Sequence, residues 1–92
     1  MTSLDKDFTQ ATEDIKKIIK KLDNEDILYL YGLYKQAILG KNTNPRPSIF
    51  NFIGRQKWKA WTDVSEFPKD QAKIRYINLV KNLSDETPQH QT

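Results

Sequence analysis

The side chains best suited to chemistry lie between Asp26 and Asp63, where the chain has no acidic residue. Its cations there are Lys35, Lys41, Arg46, Arg55, Lys57 and Lys59, interleaved with the rings of Tyr29, Tyr31, Tyr34, Phe50, Phe52, Trp58 and Trp61. The remainder of the chain has nine cations and twelve acids, a net charge of −3. Cations and planar rings without a competing carboxylate suit a ligand that brings both a phosphate and an aromatic base. We therefore expect the functional site in this stretch.

Side chains that commonly perform catalysis are scarce. The chain has no cysteine, and its single histidine, His90, lies in a polar C-terminal segment. The lack of cysteine excludes disulfides, thiolate chemistry and the usual structural zinc sites. No glycine-rich phosphate loop, serine-centred elbow or metal-ligand spacing is present. The sequence therefore predicts a binding protein without a cofactor, a metal site or a catalytic residue.

Hydrophobic periodicity predicts four helices that would position the cations and rings. They are expected at about 4–22, from an N-cap at Asn24 to Gly40, at about 54–64 and at about 68–83. One domain of 92 residues built in this way is all-α, a small four-helix bundle. We place this domain at residues 4–84 and expect a polar, disordered tail at 85–92.

The segment 41–53 cannot form a regular helix. It contains Asn42, Asn44 and Ser48, and each of its prolines, Pro45 and Pro47, restricts the residue before it to extended conformations. The same segment includes three large apolar residues that would be costly in water, Ile49, Phe50 and Phe52. We expect these three side chains to pin a long loop onto the helices.

Helical spacing groups several candidate ligand contacts. Tyr31, Tyr34 and Lys35 share one face of the second helix because positions three and four apart are neighbours. Lys57 lies on the third helix and Tyr76 midway along the fourth. If the bundle brings these residues together, phenols and ammonium groups could hold a phosphate while a ring stacks on a base.

The same residues also have purely structural interpretations. Trp58 and Trp61 are more readily explained as core residues, since a small bundle needs large apolar side chains. Tyr34 and Tyr76 could be buried rings with satisfied hydroxyls. The lysines of the first helix are typical of a solvated face. Spacing alone does not decide between a phosphate site and a packed core.

Two other binding functions use the same features. A nucleic-acid-binding bundle would employ the cations and rings on RNA or DNA, but six cations in a partly looped segment are few for a continuous track. We therefore expect no nucleic-acid partner. A protein-interaction module would instead present the apolar faces of the second and fourth helices to a partner helix.

The sequence also bears on location. No segment approaches the roughly 20 apolar residues needed to span a bilayer. Residues 1–7 do not form the apolar run of a secretion signal. The expected location is the cytosol.

Several spaced motifs resemble those of the acyl-CoA-binding protein family. Residues 31–37, Tyr-Gly-Leu-Tyr-Lys-Gln-Ala, match the family's YxxYKQA motif on the second helix. The other matching residues are Gly40, Asn42, Arg46 and Pro47 in the loop, Phe52, Gly54, Lys57, Trp58, Ala60 and Trp61 in the third helix, and Tyr76 and Ile77 in the fourth. The resemblance runs from about residue 8 to residue 83.

This resemblance implies an up-down-down-up bundle that binds long-chain acyl-CoA esters and performs no chemistry on them. It implies a soluble, monomeric intracellular carrier that makes transient contact with membranes or with acyl-CoA-using enzymes. Three departures from the family pattern are visible. Lys41 stands where the loop usually has an aspartate, and Ile53 replaces a common lysine, with Arg55 nearby as another charge. The C-terminal residues lack the family's basic, tyrosine-containing end.

The family's ligand contacts carry over by position. Tyr31, Lys35 and Lys57 correspond to the residues that hold the 3′-phosphate of CoA, and Tyr76 to a contact with the adenosine. The remaining assigned positions are Tyr34 of the motif, Lys16 near the nucleotide, its small neighbour Ala11, and Ile27 and Leu28 lining the groove for adenine and acyl chain.

Overall fold

A computed structural model describes residues 2–86. Its α-helices are α1 (Ser3–Asp14), α2 (Asn24–Leu39), α3 (Phe52–Asp63) and α4 (Lys69–Glu86), and the described part of the chain has no strand. The predicted all-α four-helix bundle is therefore confirmed. Helix α4 continues beyond the boundary predicted at residue 84, and the rest of the predicted tail, 87–92, lies outside the described residues.

Helices α2 and α3 run parallel to each other. Gly32 approaches Ala60, and one turn further along α2 the Gln36 side chain donates hydrogen bonds to the carbonyl oxygens of Ser65 and Phe67, at 3.3 and 2.8 Å. Successive contacts therefore advance towards the C-terminus along both helices, as expected for a parallel pair. This register fixes which side chains of α2 face those of α3.

Helix α4 runs parallel to α1 and antiparallel to α2. Lys73 donates to Asp5 at 2.7 Å, and one turn further along both helices Tyr76 contacts Phe8. A Cβ added to Gly40, at the end of α2, would lie 3.3 Å from the side chain of Lys69, the first residue of α4. By contrast, Tyr34, earlier in α2, contacts Tyr76, later in α4. The helices therefore run up, down, down and up.

The first helix is shorter than the periodicity predicts. After α1 the chain continues as two 3₁₀ turns, Ile15–Lys17 and Ile19–Lys21. Ile18 interrupts the helix with φ −123° and ψ −5°. Its side chain is buried, whereas Ile19 remains 39% exposed. The β-branched isoleucines fit poorly in a continuous helix, and the interruption directs them to different surroundings.

The ends of α2 follow from local hydrogen bonding. The N-cap is Asp23, not the predicted Asn24, and its carboxylate accepts from the backbone N–H of Asp26 at 2.9 Å. The helix ends at Gly40 as predicted, where φ is +82°. A positive φ favours glycine at this position.

Helix α3 begins two residues before the predicted start. The Asn51 side chain caps it by accepting a hydrogen bond from the N–H of Gly54 at 2.9 Å. Phe52 is therefore the first residue of α3 and not part of the loop. The sequence of 41–53 did not predict this helix start, because turn-forming residues continue as far as the N-cap, Asn51.

The prediction that apolar residues pin the loop is wrong. Trp58 donates from its indole nitrogen to the carbonyl of Asn44 at 2.8 Å, and Arg55 donates from Nε to the carbonyl of Pro47 at 2.9 Å. These polar contacts hold the loop because its irregular backbone leaves carbonyl groups that need donors. The residues expected to serve as anchors are exposed: Ile49 by 60%, Phe50 by 83% and Phe52 by 73%.

The core lies between α1, α2 and α4. Leu33 and Ile18 are its most completely buried large side chains. Trp61 is buried, as predicted, and donates to the carbonyl of Gly40 at 2.8 Å, whereas Trp58 is only half-buried. The other members of the core cluster are Phe8, Ala11, Ile15, Leu30, Ala37, Val64, Ala72, Tyr76, Val80 and Leu83.

Candidate functional site

The candidate site forms where α2 and α3 approach most closely. A Cβ added to Gly32 would overlap the carbonyl oxygen of Ala60 and lie 2.7 Å from its carbonyl carbon. A residue without a side chain is therefore required for this spacing. The close approach brings Tyr31, the residue before Gly32, and Lys35, nearly one turn after it, within reach of α3.

The line of contact between α2 and α3 is called the seam. Two lysines and two aromatic rings alternate across it. The Lys57 ammonium lies 5.6 Å from the ring centroid of Tyr31, and the Lys35 ammonium lies 5.2 Å from that of Trp61. Tyr31 and Lys35 are one turn apart on α2, as are Lys57 and Trp61 on α3. We call these four residues the cationic patch. Each ammonium is oriented by a π face, which attracts a cation without neutralising it.

The two lysines of the cationic patch differ from others in the chain. Within residues 2–86, neither Lys35 nor Lys57 has a carboxylate within ion-pair distance. Other lysines do have such partners: Lys16 with Glu13 at 3.3 Å, Lys17 with Asp14 at 3.9 Å, Lys59 with Asp63 at 2.7 Å and Lys73 with Asp5 at 2.7 Å. The patch therefore presents two uncompensated positive charges to an anion.

An apolar groove adjoins the cationic patch and shares Tyr31 with it. The groove has a volume of about 230 Å³. We call it the tyrosine groove; its lining residues are Ile15, Ile19, Ile27, Leu30, Tyr31, Tyr34 and Tyr76. If a ligand binds at the cationic patch through an anionic group, its planar or apolar groups would lie directly beside the tyrosine groove.

Phe8 helps to position the tyrosines of the groove. Its ring stacks on Tyr34 at 6.0 Å and meets the edge of Tyr76 at 5.1 Å, and the two tyrosine rings are 6.3 Å apart. Burial, together with the neighbouring Tyr34, raises the pKa of Tyr76 to about 12. The Tyr76 hydroxyl is protonated at neutral pH with or without this shift and can donate a hydrogen bond.

Most of the predicted site residues come together at this location. Ile27, Tyr31, Tyr34 and Tyr76 line the tyrosine groove. Lys35 and Lys57 belong to the adjoining cationic patch. Lys16 is exposed, lies in the first 3₁₀ turn between the lining residues Ile15 and Ile19, and is paired with Glu13. The ligand roles of these seven residues remain predictions.

Two predicted residues lie elsewhere. Ala11 is buried and lines a concavity of about 340 Å³ between α1 and α4, together with Ile77. Leu28 lines a larger concavity of about 550 Å³ together with Val64 and Phe67. The structure therefore does not place Ala11 and Leu28 in the tyrosine groove.

The larger concavity is a weaker candidate for the anion site. Its charged lining residues are Glu25, Lys59 and Asp63, and the last two already form an ion pair of 2.7 Å. A bound anion would have to compete with that carboxylate. The smaller tyrosine groove is the better candidate because its neighbouring cations are uncompensated.

Some site residues were not expected from the sequence. Trp61 was interpreted as core, yet it also orients Lys35 across the seam. Ile15 and Ile19 fall within the helix predicted at about 4–22 but were not assigned to the site, and both line the groove. No sequence pattern indicates the contact between Lys35 and Trp61, because it depends on the α2–α3 register that Gly32 permits.

Two features of the described residues bear on other functions. Among residues 2–86, no cluster of three or more histidine, cysteine, aspartate or glutamate side chains is suited to hold a metal ion. None of the helices in that range combines the length and the apolar character required to cross a membrane.

Comparison with known proteins adds independent evidence. The sequence profile of the family described as "Acyl CoA binding protein" matches residues 5–80. The acyl-CoA-binding protein of Brassica napus is 45% identical over 80 residues, which cover 87% of this chain and 87% of that protein. Enoyl-CoA delta isomerase 2 of Rattus norvegicus is 40% identical over 84 residues, which cover 91% of this chain but only 22% of that protein.

A solved structure agrees with these relatives. The crystal structure of Oryza sativa acyl-CoA-binding protein 2 superposes with a TM-score of 0.88 and 44% sequence identity, covering 90% of each chain. The family profile spans most of the folded residues, and the fold matches over nearly the same range. The chain therefore belongs to the acyl-CoA-binding protein family.

Proposed function

We propose that this protein binds long-chain acyl-CoA esters and performs no chemistry on them. The observation that carries the proposal is the adjacency of two uncompensated lysines, Lys35 and Lys57, to the apolar tyrosine groove. An acyl-CoA ester combines a 3′-phosphate, an aromatic base and an apolar chain. The site offers a complementary surface to each of these, and relatives in the family are named for the same ligand.

The 3′-phosphate is assigned to the cationic patch. Lys35 and Lys57 approach from different helices, so a phosphate between them could accept a hydrogen bond from each ammonium, and a third from the Tyr31 hydroxyl. Hydrogen bonds that involve charge contribute roughly 1.5–3 kcal/mol each. The aromatic faces already hold the ammonium groups in place, which lowers the cost of ordering them.

The base and the acyl chain are assigned to the apolar surfaces. The tyrosine groove suits the adenine because it offers three tyrosine rings, one of which, Tyr31, also belongs to the patch assigned to the phosphate. Ile27 faces this groove and Leu28 faces the larger concavity. A ligand long enough to use both would cross α2 near these consecutive residues.

The groove and the cationic patch lack the residue pairs that usually activate a nucleophile for attack on a thioester. Their lysines and tyrosines have no carboxylate, histidine, cysteine or serine among the other residues of the site, so no nucleophile is paired there with such a base. We infer a monomeric cytosolic carrier that keeps the thioester intact and exchanges it with membranes or with acyl-CoA-using enzymes.

Replacing Lys57 with glutamine tests the phosphate assignment. Because Lys57→Gln removes one charge-assisted hydrogen bond, we expect palmitoyl-CoA affinity to fall by roughly tenfold to a hundredfold. Affinity for 3′-dephospho-palmitoyl-CoA should fall much less. Isothermal titration calorimetry of both ligands against both proteins measures the difference.

Lys69→Gln is the matched control for this experiment. Lys69 is an exposed lysine at the start of α4 and lines neither the tyrosine groove nor the two larger concavities, so its replacement should leave the affinity for both ligands nearly unchanged. Equal losses for the phosphorylated and dephosphorylated ligands in Lys57→Gln would show that the phosphate binds elsewhere. If wild-type protein binds neither ligand, the proposed function itself is wrong.

A further inference from the structure

The start of α3 and the preceding turn expose a compact apolar surface. Solvent-facing hydrophobic residues normally occur singly, and a contiguous group usually marks an interaction site. Here four large apolar side chains occur within five consecutive residues, and we call them the apolar tip: Ile49, 60% exposed, Phe50, 83%, Phe52, 73%, and Ile53, 67%. They do not anchor the loop, so their presence requires another explanation.

The apolar tip is held in a fixed conformation by its own polar atoms. The N–H of Asn51 donates to the carbonyl of Ser48 at 2.9 Å, which closes a turn with Ile49 and Phe50 at its apex. The N–H of Phe50 donates to the Ser48 hydroxyl at 3.2 Å, and the Asn51 side chain caps Gly54 at 2.9 Å. These polar groups are already satisfied, which lowers the cost of moving the tip into a less polar medium.

Positive charges dominate the segment that bears the tip. Arg46 and Arg55 flank it, and no carboxylate occurs between residues 27 and 62. The carboxylates that line the neighbouring concavity are those of Glu25 and Asp63, and Asp63 is already paired with Lys59 at 2.7 Å. An apolar surface with a basic border is complementary to a surface that is apolar inside and negatively charged at its boundary.

We propose that the apolar tip inserts into the interfacial layer of an anionic phospholipid membrane. Aromatic and aliphatic side chains bind at the boundary between headgroups and acyl chains, and basic residues near them attract anionic lipids. The docking requires neither the tyrosine groove nor the cationic patch. Ile53 lies one turn before Lys57 on α3, so docking would also bring the patch close to the bilayer. Only this last consequence rests on the proposed acyl-CoA function.

Vesicle flotation with the ligand-free protein tests the proposal. The probes are vesicles of phosphatidylcholine alone and of phosphatidylcholine mixed equally with phosphatidylserine. The double variant Ile49→Ser/Phe50→Ser should bind the mixed vesicles at least tenfold more weakly than wild type, because full burial of one large apolar side chain favours binding by about tenfold to a hundredfold. Arg46→Gln should weaken binding about fivefold on the mixed vesicles only.

The matched control changes another exposed apolar pair. Ile38→Ser/Leu39→Ser removes side chains that are 46% and 56% exposed at the C-terminal end of α2. This change should leave vesicle binding unchanged. Circular dichroism and the urea midpoint verify that both double variants fold. Palmitoyl-CoA affinity, measured by calorimetry without vesicles, should be nearly the same in the tip variant and wild type.

Each alternative gives a distinct result. Equal vesicle binding by wild type and the tip variant, or equal loss in the control pair, would overturn the proposal. Loss of palmitoyl-CoA affinity without a change in vesicle binding would show that the tip covers the ligand instead. A change in oligomeric state on gel filtration, with no wild-type binding to either vesicle, would make the tip an interface between copies of the chain. Failure of acyl-CoA binding alone would leave membrane docking supported.

Discussion

Palmitoyl-CoA should bind at least a thousandfold more tightly than free CoA. About 14 methylenes could contribute on the order of 11 kcal/mol before costs, at about 0.8 kcal/mol each. Incomplete burial and ordering of the chain reduce this sum considerably. A remainder of about 4 kcal/mol is enough for a thousandfold ratio. Calorimetric titration of the wild-type protein with both ligands measures the ratio directly.

The same titrations separate the contribution of the chain from that of the head group. In Lys57→Gln, both ligands lose the same phosphate contact, so the ratio of palmitoyl-CoA to CoA affinity should stay close to the wild-type ratio. Affinity should also rise from butyryl- through octanoyl- to palmitoyl-CoA. Equal affinities for CoA and palmitoyl-CoA would show that the apolar surfaces do not receive the chain, and the tyrosine groove would then serve the nucleotide only.

Helix number and several helix boundaries could be predicted because local chemistry determines them. Gly40 ends α2 because of its backbone conformation, and acidic residues follow the cap at the start of that helix. Ile18 shows the limit of this reasoning. Its neighbours fit a helical stripe, but the structure places two 3₁₀ turns there, because burial of Ile18 in the core competes with regular helix geometry.

The loop shows why apolar character alone does not predict burial. Phe50 was expected to contact the helices because exposure is unfavourable, yet the nearby carbonyl groups had a stronger requirement for donors. Trp58 and Arg55 meet that requirement, since each combines a long side chain with an N–H group. Hydrophobicity singled out Ile49, Phe50 and Phe52 within this segment, but it did not predict that their side chains would be exposed.

The site was predictable as a set of residues but not as an arrangement. The motif of α2 supplies Tyr31 and Lys35, and the interval without acidic residues includes Lys57. Which ring each lysine approaches depends on the α2–α3 register. That register depends on Gly32, which the sequence shows only as one glycine within a motif.

Replacing Gly32 with alanine should therefore destabilise the protein. In an ordinary helix interior this change stabilises by roughly 0.5–1 kcal/mol, because alanine restricts the unfolded chain. Here the added Cβ would overlap the backbone carbonyl of Ala60, which cannot move without shifting α3. Overpacking of this kind costs about 1–3 kcal/mol, and we expect the upper part of that range. Urea unfolding monitored by circular dichroism measures the loss.

Gly54→Ala is the matched control because it also introduces an overlap in a helix. The atoms that its Cβ would meet belong to the Asn51 side chain, which can rotate away. The cost should then be limited to the lost cap, about 1 kcal/mol. Gly32→Ala should additionally weaken palmitoyl-CoA binding, since a displaced α3 separates Lys57 from Tyr31. If Gly32→Ala instead stabilises the protein and binds the ligand normally, the Gly32–Ala60 approach does not set the geometry of the cationic patch.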